Sequence, residues 1–195
     1  RLDFAVQQYP NHIDFPQTES IENEQSAKVT AIFSAKDIRY ARDVSFACRT
    51  FYTAGRAVPW MNSILKPLKI YPSRFFADFA EWQRCNNCGY KNGFNPENED
   101  NKAIEKMQLL FLEQKYEEKN ISDLMPLVRD IVKINGAMAR LCGEGEESII
   151  ETSYNPDDLF GPECLDVESF FENVCMEHSK VRIYNNENNP DYIIL

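Results

Sequence analysis

Glycine is scarce in this chain, 7 residues in 195, and none of the seven falls in the spacing of a Rossmann or P-loop phosphate cradle. Histidine is scarcer still, with only His12 and His178, which leaves little material for imidazole-based catalysis. No run of 18 or more apolar residues occurs, so the sequence predicts no membrane-spanning helix. No signal-peptide pattern opens the chain. Beginning on Arg1 instead of Met, the sequence reads as a processed product or a piece of a longer chain. Bases are in the minority, 21 against 31 acids, and a net charge of −10 argues against a protein that coats nucleic acid, where phosphate neutralisation dominates affinity. Six cysteines are too few for a small disulfide scaffold of this length.

What is present is apolar enough to fold: 43% hydrophobic and 12% aromatic residues. The charge is also unevenly placed. From Gly143 to Val174 there are ten acids and no Lys or Arg, whereas Lys36 to Lys91 carries ten bases against four acids. Ten carboxylates without a counter-base repel one another, so this stretch is expected to meet positive charge. The source would be the Lys36–Lys91 region of the same chain or of a neighbouring copy.

Periodicity predicts an α+β fold with a predominantly helical centre, about five helices, and short strands near both chain ends. Alternation over Asp3–Val6 and Lys28–Ser34 predicts two strands. Ser34 followed by Asp37 marks a helix start of capping-box type, and Gly55 with Pro59 marks its end. A proline-broken linker is expected from Pro59 to Pro72. Ser73 is expected to cap a second helix carrying Phe75, Phe76, Phe79 and Trp82, with a loop from Asn86 to Asn101 after it. A third helix spans Lys102 to about Lys119. The fourth, capped by Ser122, places Leu124, Leu127, Val128, Ile131, Ile134, Met138 and Leu141 on one stripe and ends at Gly143. Gly136 within it invites close approach of another backbone. A fifth helix runs from about Leu165 to His178, and two strands, Val181–Tyr184 and Tyr192–Leu195, form the tail. The whole, residues 1–195, reads as a single domain. It comprises an extended segment (1–35), a helical core (36–142), the acidic stretch with the last helix (143–179) and a short β tail (180–195).

The most specific local signal is Cys85-Asn86-Asn87-Cys88-Gly89-Tyr90. Two thiolates three residues apart can reach one metal across a tight turn. The six residues resemble the knuckle of rubredoxins and zinc ribbons. Cys175 and His178, three apart on the expected fifth helix, would share one face. Together Cys85, Cys88, Cys175 and His178 would make a closed Cys₃His structural zinc site. On that reading Cys48, Cys142 and Cys164 are small buried hydrophobes. The competing expectations are up to three disulfides in a secreted or lumenal protein, or a redox-active Cys-x-x-Cys. The order Trp60, Tyr71-Pro72, Phe75, Cys85 is similar to the flavin-linked sulfhydryl oxidases, but the histidines of that family have no counterpart here and the family is not carried over. A cysteine protease built on Cys48 and His178 is disfavoured, because Cys48 sits within a helix and not at its N-terminus.

Arg42, Arg49 and Arg56 recur every seven residues, drifting only about 20° per step, with Arg39 beside them. Such a ridge can grip carboxylates or phosphates of a partner; alternatively it is a solvated face paired with acids of its own chain. Taken together, the sequence predicts a non-enzymatic binding or assembly module stabilised by zinc. Its partner would be another protein or a second copy engaged through charge-complementary surfaces, with no nucleic acid and no membrane. A disulfide-stabilised binding protein and a thiol-disulfide oxidoreductase are the alternatives.

Overall fold

A computed structural model of the protein describes residues 1–13, 33–187 and 189–195. Among them are eight α-helices and one three-stranded antiparallel sheet near the C-terminus. The fold is therefore mixed and mostly helical, but with more helices than the expected five. Among the described residues the strands are confined to the C-terminal end. The strand expected over Lys28–Ser34 falls largely outside the described residues. That over Asp3–Val6 is instead a short helix, α1 (Leu2–Gln7), which buries Val6. Four alternating residues fit one turn of helix as well as a strand, and Asp3 decides the matter. Its carboxylate accepts hydrogen bonds from the Ser73 amide (2.6 Å) and hydroxyl (3.0 Å), tying α1 to the start of another helix.

Helix α2 (Ala35–Cys48) begins on the expected capping box, with Ser34 Oγ accepting from the Asp37 amide and Asp37 answering to the Ser34 amide. It continues into a π-helical turn over Arg49–Ala54. Such a turn frees carbonyls from the regular ladder. Gln108 fills the gap, its Nε2 donating to the carbonyls of Phe51 (2.8 Å) and Gly55 (3.0 Å). A side chain on Gly55 would overlap both Gln108 and the Phe51 carbonyl, so the glycine is required by close approach. The expected linker holds α3 (Met61–Leu68), ended by Lys69 in the left-handed region (φ 54°). Pro67 lies near its C-terminus. Pro72 is the first residue of α4 (Pro72–Cys85), a position where a missing amide costs nothing. The cap at this end is therefore not the Ser73 hydroxyl; the Ser73 amide is served by Asp3.

Helices α5 (Asn101–Glu118) and α6 (Met125–Glu144) follow the predicted stripes closely. Ser122 lies in a 3₁₀ turn before α6 and does not cap it, and the left-handed residue at its end is Gly145 (φ 69°), not Gly143. Phe51 is the centre of the helical half. Its buried ring meets Phe75, Phe79 and Trp60 edge-on, with centroids 4.8, 5.1 and 5.9 Å away, and reaches Phe76 and Phe111.

Gly136 makes room for a side chain, not for a backbone. A Cβ there would overlap Glu105 Oε2, which pairs with the 5% exposed Arg140 at 2.5 Å. Gly136→Ala gains about 1 kcal/mol of helix propensity but dislodges a buried ion pair worth more than that when broken. A net loss of about 1–2 kcal/mol is expected, read from urea unfolding.

The acidic stretch contains two elements not expected there, β1 (Ser148–Thr152) and a short helix α7 (Pro156–Leu159). Helix α8 (Val167–Asn173) is half the expected length, because Val174 turns extended (φ −109°, ψ 126°). Strands β2 (Ser179–Asn186) and β3 (Asn189–Ile194) form the expected tail hairpin. The sheet order is β1-β2-β3, with Ile149 opposite Arg182 and Arg182 opposite Ile193. Val181 and Ile183 point into the core.

Candidate functional site

Cys85 ends α4 and is exposed, while Cys88 follows a turn in which Asn87 adopts φ 57°. The Cys88 amide and thiol both donate to the Gln83 carbonyl (3.0 and 3.6 Å). Cys175 and His178 lie beyond α8 in the irregular segment leading to β2, both exposed, so no helix face joins them. The offset of three depended on a helix that stops at Asn173. Among the described residues no three His, Cys, Asp or Glu side chains gather as a metal would require. The arrangement thus offers a two-thiol loop and not the four donors of a closed zinc site. All six cysteines are free thiols, which leaves the disulfide reading no bridge to rest on. Cys48 and Cys164 are buried, and burial pushes both thiols up to about 12. Cys142, expected to be buried, is exposed.

Helix N-termini and free cations are among the settings that activate a thiolate, as is a Cys-x-x-Cys motif itself. Cys85 stands at the negative end of α4, burial pushes the Cys88 thiol up, and the neighbouring Arg84 is held by Glu81.

The arginines divide. Arg49 pairs with Glu97 and Arg56 with Glu144, and Arg42 lies over the Tyr90 ring at 4.4 Å. Arg39 alone is exposed with no ion pair among the described residues. The π-helical turn also breaks the seven-residue register between Arg49 and Arg56. Three of the four arginines thus serve their own chain, and Arg42 with Phe46 anchors the cysteine loop through Tyr90 and Phe94.

Four of the ten acids in 143–174 find bases. Glu144 meets Arg56, Asp166 meets Lys66, Glu146 meets Lys102 and Glu147 meets Arg182. The first two join the acidic stretch to the basic Lys36–Lys91 region of the same chain, and the Arg56 and Lys66 pairings hold the Glu144 and Asp166 carboxyls below their ordinary range. The remaining six, Glu151, Asp157, Asp158, Glu163, Glu168 and Glu172, have no ion pair among the described residues.

One buried acid escaped the sequence reading. Asp130, on α6 and 2% exposed, accepts hydrogen bonds from the amides of Ser153 (2.5 Å) and Tyr154 (3.1 Å) just after β1. Burial pushes its carboxyl up to about 6, against the pull of those amides and of Lys133 and Arg129. Its position was a signal: three residues after Leu127 and four before Ile134, it stands inside the apolar stripe. With its oxygen committed to backbone amides, it is a clasp holding the sheet to α6. A cavity of about 520 Å³ lies between Lys66 and α8, lined by Pro162, Leu165, Phe170 and Val174, with the Lys66–Asp166 pair on its wall. Ser169 also lines it, its amide donating to Asp166 Oδ1 at 3.3 Å.

The chain matches no family model, no curated protein and no solved structure.

Proposed function

We propose that the protein is a non-enzymatic binding and assembly module that engages a positively charged protein partner through its acidic C-terminal third. The observation that carries this reading is the six carboxylates of that stretch, Glu151, Asp157, Asp158, Glu163, Glu168 and Glu172, that make no ion pair among the described residues. Three buried groups have structural work: Asp130 holds two amides, and Cys48 and Cys164 pack in the core. Purification from its source at low ionic strength should yield a stoichiometric complex with a basic protein that dissociates as salt is raised, because exposed charge pairs are screened. A lone chain, indifferent to salt, would overturn the proposal. Zinc belongs to this reading only if the two pairs Cys85/Cys88 and Cys175/His178 come together; elemental analysis of the same preparation decides, with one zinc per chain restoring the metal and none removing it.

A further inference from the structure

The sheet has two edges, and the fold treats them differently. Leu195 donates its amide to the Lys180 carbonyl (2.8 Å), which fixes the hydrogen-bonding alternation. Residues 180, 182 and 184 of β2 bond to β3, and 179, 181 and 183 bond to β1. On β3 the outward positions are therefore Pro190, Tyr192 and Ile194. Pro190 has no amide to offer, and the Tyr192 amide is taken by the Asp191 carboxylate (2.8 Å), itself held by Asn186 (2.9 Å). Proline and a turned-in charge are the devices by which proteins blunt an edge.

On β1 the outward positions are Ile149 and Glu151. No hydrogen bond reaches their amides or carbonyls among the described residues, and the Ile149 side chain is 56% exposed. Along the open face of this strand stand Glu147, Ile149 and Glu151, an acid–apolar–acid alternation at every second residue. Glu147 is partly satisfied by Arg182 at 2.8 Å, while Glu151 has no ion pair.

Resting on the binding reading above, we infer that β1 is an acceptor edge for an extended segment of a partner protein that carries basic, apolar and basic side chains at alternate positions. Main-chain bonds to Ile149 and Glu151 would supply the affinity, and cross-strand pairing of a base with Glu151 and an apolar residue with Ile149 would supply the register. A second copy is the poorer occupant. Antiparallel pairing of β1 with itself about Ile149 places Glu147 of each copy directly opposite Glu151 of the other and brings two acidic stretches together.

The test uses the whole chain and fluorescein-labelled synthetic peptides of the pattern Lys-Thr-Ile-Thr-Lys, its Glu-Thr-Ile-Thr-Glu counterpart, and a backbone N-methylated form of the first. Anisotropy at low salt should show the basic peptide binding at least tenfold tighter than the acidic one and N-methylation abolishing binding. Glu151→Lys, at an exposed position, should invert the preference while circular dichroism stays unchanged. Equal binding of the N-methylated peptide, or a preference that Glu151→Lys does not move, overturns the edge. Concentration-dependent dimers that Glu151→Lys strengthens, by setting a lysine against Glu147 of the second copy, would overturn the basic occupant in favour of a second copy. If the purified complex forms but is untouched by Glu151→Lys, the edge fails and the module reading stands; if no complex forms, the module reading itself fails.

Discussion

Phe51→Ala should remove about 4 kcal/mol of stability, the upper range for a buried aromatic truncated to alanine. The ring is fully buried and meets five other aromatic rings, so its loss opens a cavity bordered at once by α4, α5 and Trp60, the residue preceding α3. Those neighbours cannot all close in, because the backbone carrying Phe51 is pinned by Gln108. Domains of this size have about 5–15 kcal/mol in hand, so the variant should approach unfolding at body temperature. Urea denaturation measures it, with Tyr71→Ala as the control. Tyr71 is 72% exposed, and its truncation should change stability by less than about 0.5 kcal/mol. A loss under about 2 kcal/mol for Phe51→Ala would show that the aromatic cluster is loosely packed.

Asp130→Asn should stabilise the protein by about 2 kcal/mol at pH 7 and by almost nothing at pH 4. In the folded chain burial raises the carboxyl from an ordinary value of 3.8 to about 6, so the native state binds the proton more tightly than the unfolded state does. Between those two values stability falls as pH rises. Two pKa units correspond to about 3 kcal/mol, reduced to about 2 by solvent screening. Asparagine keeps an oxygen for the Ser153 and Tyr154 amides and carries no charge to desolvate. Urea unfolding at pH 4, 5, 6 and 7 should therefore show wild-type stability declining through pH 6 and a flatter profile for the variant. A parallel decline in both would place the pH dependence elsewhere.

The elements read correctly from sequence are those in which a cap or stripe acts alone. Ser34 and Asp37 cap α2 through their own side chains, and α5 and α6 bury a continuous apolar face. The misread elements are those decided by tertiary partners. Asp3 belongs to α1 yet serves α4. Pro59, Pro67 and Pro72 read as a broken linker, but Pro72 is the first residue of α4, Pro67 lies near the end of α3, and Pro59 sits in the turn before α3. The Ile149-Ile150 pair carries the branching of a strand, and the acids around it drew attention to charge instead. The same limit applies to the site. Cys85 and Cys88 are visible in any sequence, whereas the conformation of Cys175 and His178 depended on where α8 stops. Asp130, the carboxyl that burial raises most among the described residues, escaped that reading although it stands as an acid on an apolar stripe.

The capped β3 strand sets how far any sheet-mediated assembly can grow. Polymerisation by strand addition needs each unit to donate one edge and accept at another, head to tail. Here the far edge ends in a proline and a sealed amide, so a strand joined to β1 has no relay on the other side. If β1 takes a strand as proposed, association through the sheet is expected to stop after one step, giving a one-to-one complex.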